Sequence, residues 1–146
     1  MDKILSDEFH ILMRRHKKEV QNYLSTLGIY MGQPRVLFYL EEFPGISQKE
    51  LSEKLDISKE SISVSTRRLE KSGFIERKES EIDRRVNLLK LTDKGFRVVK
   101  DLRSNFEKIN SQMFIDLNEI EKKELKRIFK IMNESIEKRL LDEEII

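Results

Sequence analysis

The sequence has no cysteine in its 146 residues, only two prolines and five glycines, and almost no net charge, +2. Without cysteine there is no disulfide, no thiol nucleophile and no thiolate-based zinc or redox site. So little proline and glycine disfavours an all-β fold with many tight turns and favours long helices. No stretch approaches the roughly 18 consecutive apolar residues of a membrane span, and Met1-Asp2-Lys3 does not lead into a signal-peptide core. A soluble, cytoplasmic, bacterial protein is the expectation. An enzyme would need a nucleophile with its base, or paired carboxylates in a cleft. Both histidines, His10 and His16, fall on one amphipathic segment six residues apart, a spacing that does not bring them to one helical face. The sequence therefore predicts no catalytic centre, no metal site and no cofactor.

Charged residues make up 38% of the chain and hydrophobic ones another 38%, which suits a foldable chain with a heavily charged surface. The charge is unevenly placed. Residues 58–90 carry nine Lys and Arg against six Asp and Glu, so this segment is +3 and the remainder −1.

That segment belongs to the stretch around which the chain is organised, Ser47 to Leu91. Ser47-Gln48-Lys49-Glu50 has the spacing of a capping box, and Leu51 and Leu55 give the helix it opens one apolar side. Asp56-Ile57-Ser58 interrupts that helix and sets Ser58 to cap a second, which runs from Lys59 to about Ser72 and stops at Gly73. Ile62, Ser65, Thr66 and Leu69 form its predicted inward side. Ser61, Ser63, Val64, Arg67, Arg68 and Lys71 form the other: hydroxyls suited to base edges, a small apolar group suited to thymine methyls, and cations suited to phosphates. Phe74–Lys78 and Val86–Leu91 then read as two strands around a loop, Glu79 to Arg85, that carries Asp83, Arg84 and Arg85. The whole is a predicted winged helix-turn-helix.

The flanks are helical. Leu5, Phe9, Leu12, His16, Val20, Tyr23 and Leu27 recur at spacings of three and four and place an apolar stripe on a first helix over residues 3–27. Pro34 suits the first turn of a second helix whose buried side is Val36, Leu37 and Leu40. Beyond the wing, Thr92-Asp93 caps a long helix with a heptad-like seam of Val99, Leu102, Phe106, Ile109 and Met113. After a break near Asn118, a last helix aligns Leu125, Ile128, Phe129, Met132, Ile136 and Leu140. These stripes exceed what the small central module can cover. The expectation is a two-fold dimer in which Leu102 and Phe106, with the first and last helices, face a second copy; the alternative is a monomer whose two ends pack together. The predicted fold is thus mainly α with a small β-wing: a winged helix-turn-helix, residues 32–103, inserted in a helical dimerisation frame of residues 1–31 plus 104–146.

In this arrangement the sequence resembles the MarR family of bacterial transcriptional regulators. The resemblance rests on Leu27-Gly28-Ile29 through Gln33 and Val36-Leu37, on Ser47-Gln48-Lys49-Glu50-Leu51, and on Leu69-Glu70-Lys71-Ser72-Gly73-Phe74-Ile75-Glu76-Arg77. Asp83-Arg84-Arg85-Val86 and Leu91-Thr92-Asp93-Lys94-Gly95 extend it. It implies a homodimeric, sequence-specific DNA-binding regulator, often a repressor released by a small, frequently aromatic ligand, acting on a palindromic operator in double-stranded DNA. Carried over, Ser61, Ser63 and Val64 meet bases, Arg68 a phosphate, and Arg85, aimed by an ion pair with Asp83, the minor groove. Ser58, Lys59, Arg67, Lys71 and Arg84 complete the candidate DNA-binding set. His16, Tyr23, Tyr30 and Tyr39, at the junction of frame and reading head, are the candidate effector-binding residues, although aromatics at such spacing also serve as ordinary core. Three departures stand out. Val64 occupies a position where arginine or another polar residue is common, so base preference does not carry over. Ser65 and Thr66 replace larger apolar residues, which predicts looser packing under the helix. The absence of cysteine separates the chain from the family's peroxide sensors. The alternative is a helical protein-interaction module without specific DNA binding, which leaves the basic wing idle.

Overall fold

The computed structural model describes residues 1–144. Local chemistry places most helix ends. Helix α1 (Asp2–Thr26) is followed by α2 (Gln33–Glu42), which has proline in its first turn. A two-residue strand β1 (Ile46–Ser47) runs straight into α3 (Gln48–Leu55), where the Ser47 hydroxyl accepts the Glu50 amide at 3.1 Å. Asp56 ends α3 in the left-handed region at φ 51°. The Ser58 hydroxyl then caps α4 (Lys59–Lys71) by accepting the Ser61 amide at 3.1 Å. Gly73, at φ 81°, takes the conformation that stops α4 and that a side chain would resist.

Strands β2 (Ile75–Glu79) and β3 (Asn87–Leu91) form the wing, and β3 also pairs with β1, so the sheet has three antiparallel strands in the order β1-β3-β2. The third strand was not visible in the sequence. It registers Ile46 against Leu89 and Ser47 against Leu88. Across β2 and β3 the register sets Glu76 against Lys90, whose Nζ lies 3.0 Å from the carboxylate. Thr92 closes the wing: its hydroxyl donates to the Gly73 carbonyl at 2.5 Å and accepts the Gly95 amide at 3.0 Å as α5 (Asp93–Gln112) begins. Gly95 is demanded by close approach, since a Cβ there would lie 2.0 Å from the Phe74 carbonyl oxygen.

Residues 1–107 form one compact unit. Its core joins Leu24 of α1, Val36, Leu37 and Leu40 of α2, Leu51 and Leu55 of α3, Ile62 and Leu69 of α4, Leu89 and Leu91 of β3, and Val98, Val99 and Leu102 of α5. The buried position of α1 is Leu24, beside the predicted stripe; Val20, Tyr23 and Leu27 are only partly buried against the core, and Leu5, Phe9 and Leu12 are exposed. One expectation needs correction here. Leu102 is fully buried within its own chain, and Phe106 packs edge-on against Tyr23 and Phe38 at centroid distances of 6.1 and 6.2 Å. Neither is the open interface residue that heptad spacing suggested. Arg103 closes over the same spot, 2.7 Å from Glu41 and stacked on Phe38 at 4.5 Å.

The second compact unit begins at residue 108 and contains the end of α5 and α6 (Glu119–Glu144). Asn118 and Glu121 satisfy each other's backbone amides at 2.8 and 2.9 Å, a reciprocal cap at the predicted break. No residue of α6 is buried, and Ile128, Phe129, Met132, Ile136 and Leu140 are all exposed.

Candidate nucleic-acid interface

Helix α4 presents the predicted two sides. Ile62, Thr66 and Leu69 are buried, while Ser65 is only half-buried. Ser61, Val64, Arg67, Arg68 and Lys71 are exposed; Ser63 is half-buried, and its hydroxyl accepts a 3.3 Å hydrogen bond from Arg67. Val64 keeps 45% of its surface, unusual for valine on a polar face and suited to an apolar contact outside the chain. Arg68 is already engaged: its guanidinium stacks 4.4 Å from the centre of the Tyr30 ring.

The wing loop is built by short-range bonds. The Ser80 amide donates to the Val86 carbonyl at 2.9 Å, and the Val86 amide donates to the Asp83 carbonyl at 2.9 Å, closing a turn over Asp83–Val86. Asp83 Oδ1 accepts the Arg85 amide at 3.0 Å and its Nε at 3.3 Å. One carboxylate thus bonds both the backbone and the head of Arg85, the ion pair that the family resemblance implied. The Arg85 side chain nevertheless remains 91% exposed. Arg84 is exposed, and Ile82, beside Asp83 in the loop, is 99% exposed. Arg85 also lines a cleft with Lys59, Ile62, Ser47, Gln48 and Asn87. The wing loop and the starts of α3 and α4 therefore meet at one cationic edge.

Sequence reasoning missed a polar knot behind this edge. The Thr66 hydroxyl is completely buried and donates to the Ile62 carbonyl at 2.8 Å. Gln48 Oε1 stands 3.2 Å from it, and Arg77 of β2 donates to it at 3.3 Å. Arg77 Nε lies 3.4 Å from Glu70. The knot answers the looser packing expected from threonine at this site. The overlooked signal was Arg77 itself, which shares the inward strand face with buried Ile75.

Tyr30, Tyr23 and Tyr39 among the candidate effector residues each pack against a different neighbour. Tyr30 is exposed and lines an open cleft of about 660 Å³ with Gln21, Leu24, Ser25, Met31 and Arg68. Tyr23 packs on Phe106, and burial together with the Asp101 carboxylate raises the pKa of its hydroxyl above the usual 10.0, with Asn105 opposing. Tyr39 stacks on Phe43 at 4.7 Å. His16 is half-buried in α1.

This geometry has close counterparts. The MarR family model matches residues 29–86, from the α1–α2 turn through β2 and the wing loop. The HTH-type transcriptional regulator BilQ of Clostridium symbiosum is 33% identical over 102 residues, covering 70% of this chain and 71% of that protein. Among solved structures, MarR aligns with a TM-score of 0.70 at 29% identity, covering 92% of each chain. The F27L variant of S. aureus MepR bound to an oligodeoxyribonucleotide aligns at 0.70 with 25% identity, over 90% of this chain and 97% of that one.

Proposed function

The chain belongs to the MarR family of DNA-binding transcriptional regulators, and from that premise we propose that it acts as a homodimer on a two-fold symmetric operator, with ligand-controlled release. The observation that carries the DNA reading is the exposed face of α4 set beside an Arg85 that its own Asp83 holds outward. Ser61, Ser63 and Val64 read bases. Ser58, Lys59, Arg67, Arg68, Lys71 and Arg84 hold the backbone. Arg85 enters the minor groove, where a narrow groove's negative potential favours arginine. Residues 32–103 bind DNA, and residues 1–31 with 104–146 dimerise. Support for the dimer is the uncovered apolar side of α6 and of the first half of α1.

The protein works in the cytoplasm and has no catalytic activity; its relatives are named as transcriptional regulators, and no helix among the described residues is long and apolar enough to cross a membrane. A small aromatic effector, bound near His16, Tyr23, Tyr30 and Tyr39, biases the spacing of the two heads by preferring the DNA-free state. Tyr30 is the residue best placed to meet it, because it lines a cleft and holds Arg68.

Selection from a random duplex library tests the core of this reading. The expected product is a palindrome with half-site centres about 10 bp apart. Recovery of no preferred sequence would favour the protein-interaction module instead. Titration of the selected complex with phenols and aromatic acids, repeated on Tyr30→Ala and His16→Ala, tests the effector site.

A further inference from the structure

The knot behind the reading edge connects the two parts that would touch different grooves. Thr66 and Glu70 belong to α4, Gln48 begins α3, and Arg77 belongs to β2. Arg77 sits on the inward strand face, paired across the ladder with Leu89, two positions before the strand gives way to the wing loop. A cation on an inward face needs partners, and this one has two on the recognition helix: the Thr66 hydroxyl at 3.3 Å and the Glu70 carboxylate at 3.4 Å. A planar guanidinium can donate to the hydroxyl through a terminal nitrogen while its charge faces the carboxylate, whose contact with Nε is an ion pair and not a hydrogen bond. The Thr66 hydroxyl lies within reach of α3 through Gln48 at 3.2 Å, and Gln48 lines the same cleft as Arg85.

We propose that Arg77 is a positioning residue that fixes the angle of the wing to the recognition helix, so that α4 and Arg85 engage their grooves in one register. This rests on the DNA-binding reading above and adds to it a coupling carried through Arg77, Thr66 and Glu70, none of which that reading places on DNA. Among the described residues, Arg85 itself is held only by Asp83 within its own loop. Its reach relative to α4 is therefore set by how β2 is anchored, and Arg77 supplies a polar anchor between β2 and α4. Without it, the wing keeps its ladder to β3 but loses a fixed bearing on the helix.

A double-mutant cycle on the selected operator tests this in the full-length protein. In the parent, Arg85→Ala should weaken binding about tenfold, the equivalent of one good groove contact, and lower the salt slope by about 1. In an Arg77→Met background the same Arg85→Ala change should cost under about threefold, a non-additivity expected only of coupled residues. Arg68→Ala, on α4 but outside the knot, should cost the same in both backgrounds. Thr66→Val removes the hydroxyl at nearly constant volume and should reproduce the Arg77→Met result, whereas Thr66→Ser should behave as the parent. Thermal melts accompany each variant; should Arg77→Met fail to fold, the Thr66 pair decides. Full additivity of Arg85→Ala with these changes overturns the positioning role while leaving DNA binding intact. A parent protein indifferent to Arg85→Ala overturns the wing assignment, and the positioning role with it.

Discussion

Leu102 of α5 is completely buried within its own chain, while Phe129, Ile136 and Leu140 of α6 lie open although they recur at the same helical spacing. The two stripes look alike in sequence and differ in what covers them. In the compact unit of residues 1–107, α2, α3, α4, the sheet and α5 converge, and their apolar sides meet at Val36, Leu37, Leu40, Leu51 and Val99. In the unit that begins at residue 108, no residue of α6 is fully buried. A stripe in the first unit stabilises the subunit. A stripe in the second has free energy to release only on meeting another surface.

The sharpest way to break this comparison is to charge both stripes. Leu102→Glu buries an unpaired carboxylate and should cost several kcal/mol, enough to unfold the subunit; circular dichroism in a thermal ramp reads it. Phe129→Glu should leave the subunit helical and cooperative but reduce its sedimentation from dimer to monomer at micromolar concentration. Were Leu102→Glu to fold and merely dissociate, or Phe129→Glu to unfold the reading head, the division would be wrong.

Gly95→Ala probes the first unit by overpacking. The added methyl would meet the Phe74 carbonyl oxygen at 2.0 Å. Backbone cannot swing aside as a side chain can, so α5 must shift against the wing, at about 1–3 kcal/mol. The expected readout is a lower melting temperature with dimer mass unchanged. A melting temperature equal to the parent's would mean that α5 is not pinned to this turn.

What was legible in the sequence follows the same line. Ser47, Ser58, Gly73, Thr92 and Asn118 mark helix boundaries through bonds to backbone three residues away or less, or through a backbone angle, and these are local matters. The Asp83–Arg85 clasp is equally local. Strand β1 has two residues and pairs with partners more than forty positions on, so no local pattern announces it. Leu102 was legible as apolar and helical, but spacing alone does not say which surface covers a stripe. The Arg77 knot spans α3, α4 and β2 and is invisible to any one of them.

A smaller effect separates fold from reading on α4 itself. Ser58→Ala removes the cap and should cost about 1 kcal/mol of stability with little change in which sequence is preferred. Val64→Ala keeps the cap and the core but removes an exposed apolar group, so stability should hold while preference at one base pair shifts by about 1–3 kcal/mol. Competition binding against operator variants, paired with melts, distinguishes the two; a Val64 variant with unaltered preference would remove that side chain from the reading face.

The smallest effect lies where α1 passes from its exposed half to its covered half. Tyr23 packs on Phe106, and its hydroxyl's pKa is raised, first by burial and then by Asp101. The sign follows from the neutral form being the one the fold prefers. Below the unfolded value of 10.0 the tyrosine is protonated in both states and its contribution is fully present. As pH rises from there through the higher folded value, the unfolded chain sheds its proton first, and stability falls. Tyr23→Phe keeps the ring against Phe106 and removes the ionisation, so the variant should lose less stability than the parent between pH 9 and 11, with about equal stability at neutral pH. Urea melts across that range measure it. Parallel curves for the two proteins would show that the Tyr23 hydroxyl reaches solvent freely although its ring is packed on Phe106.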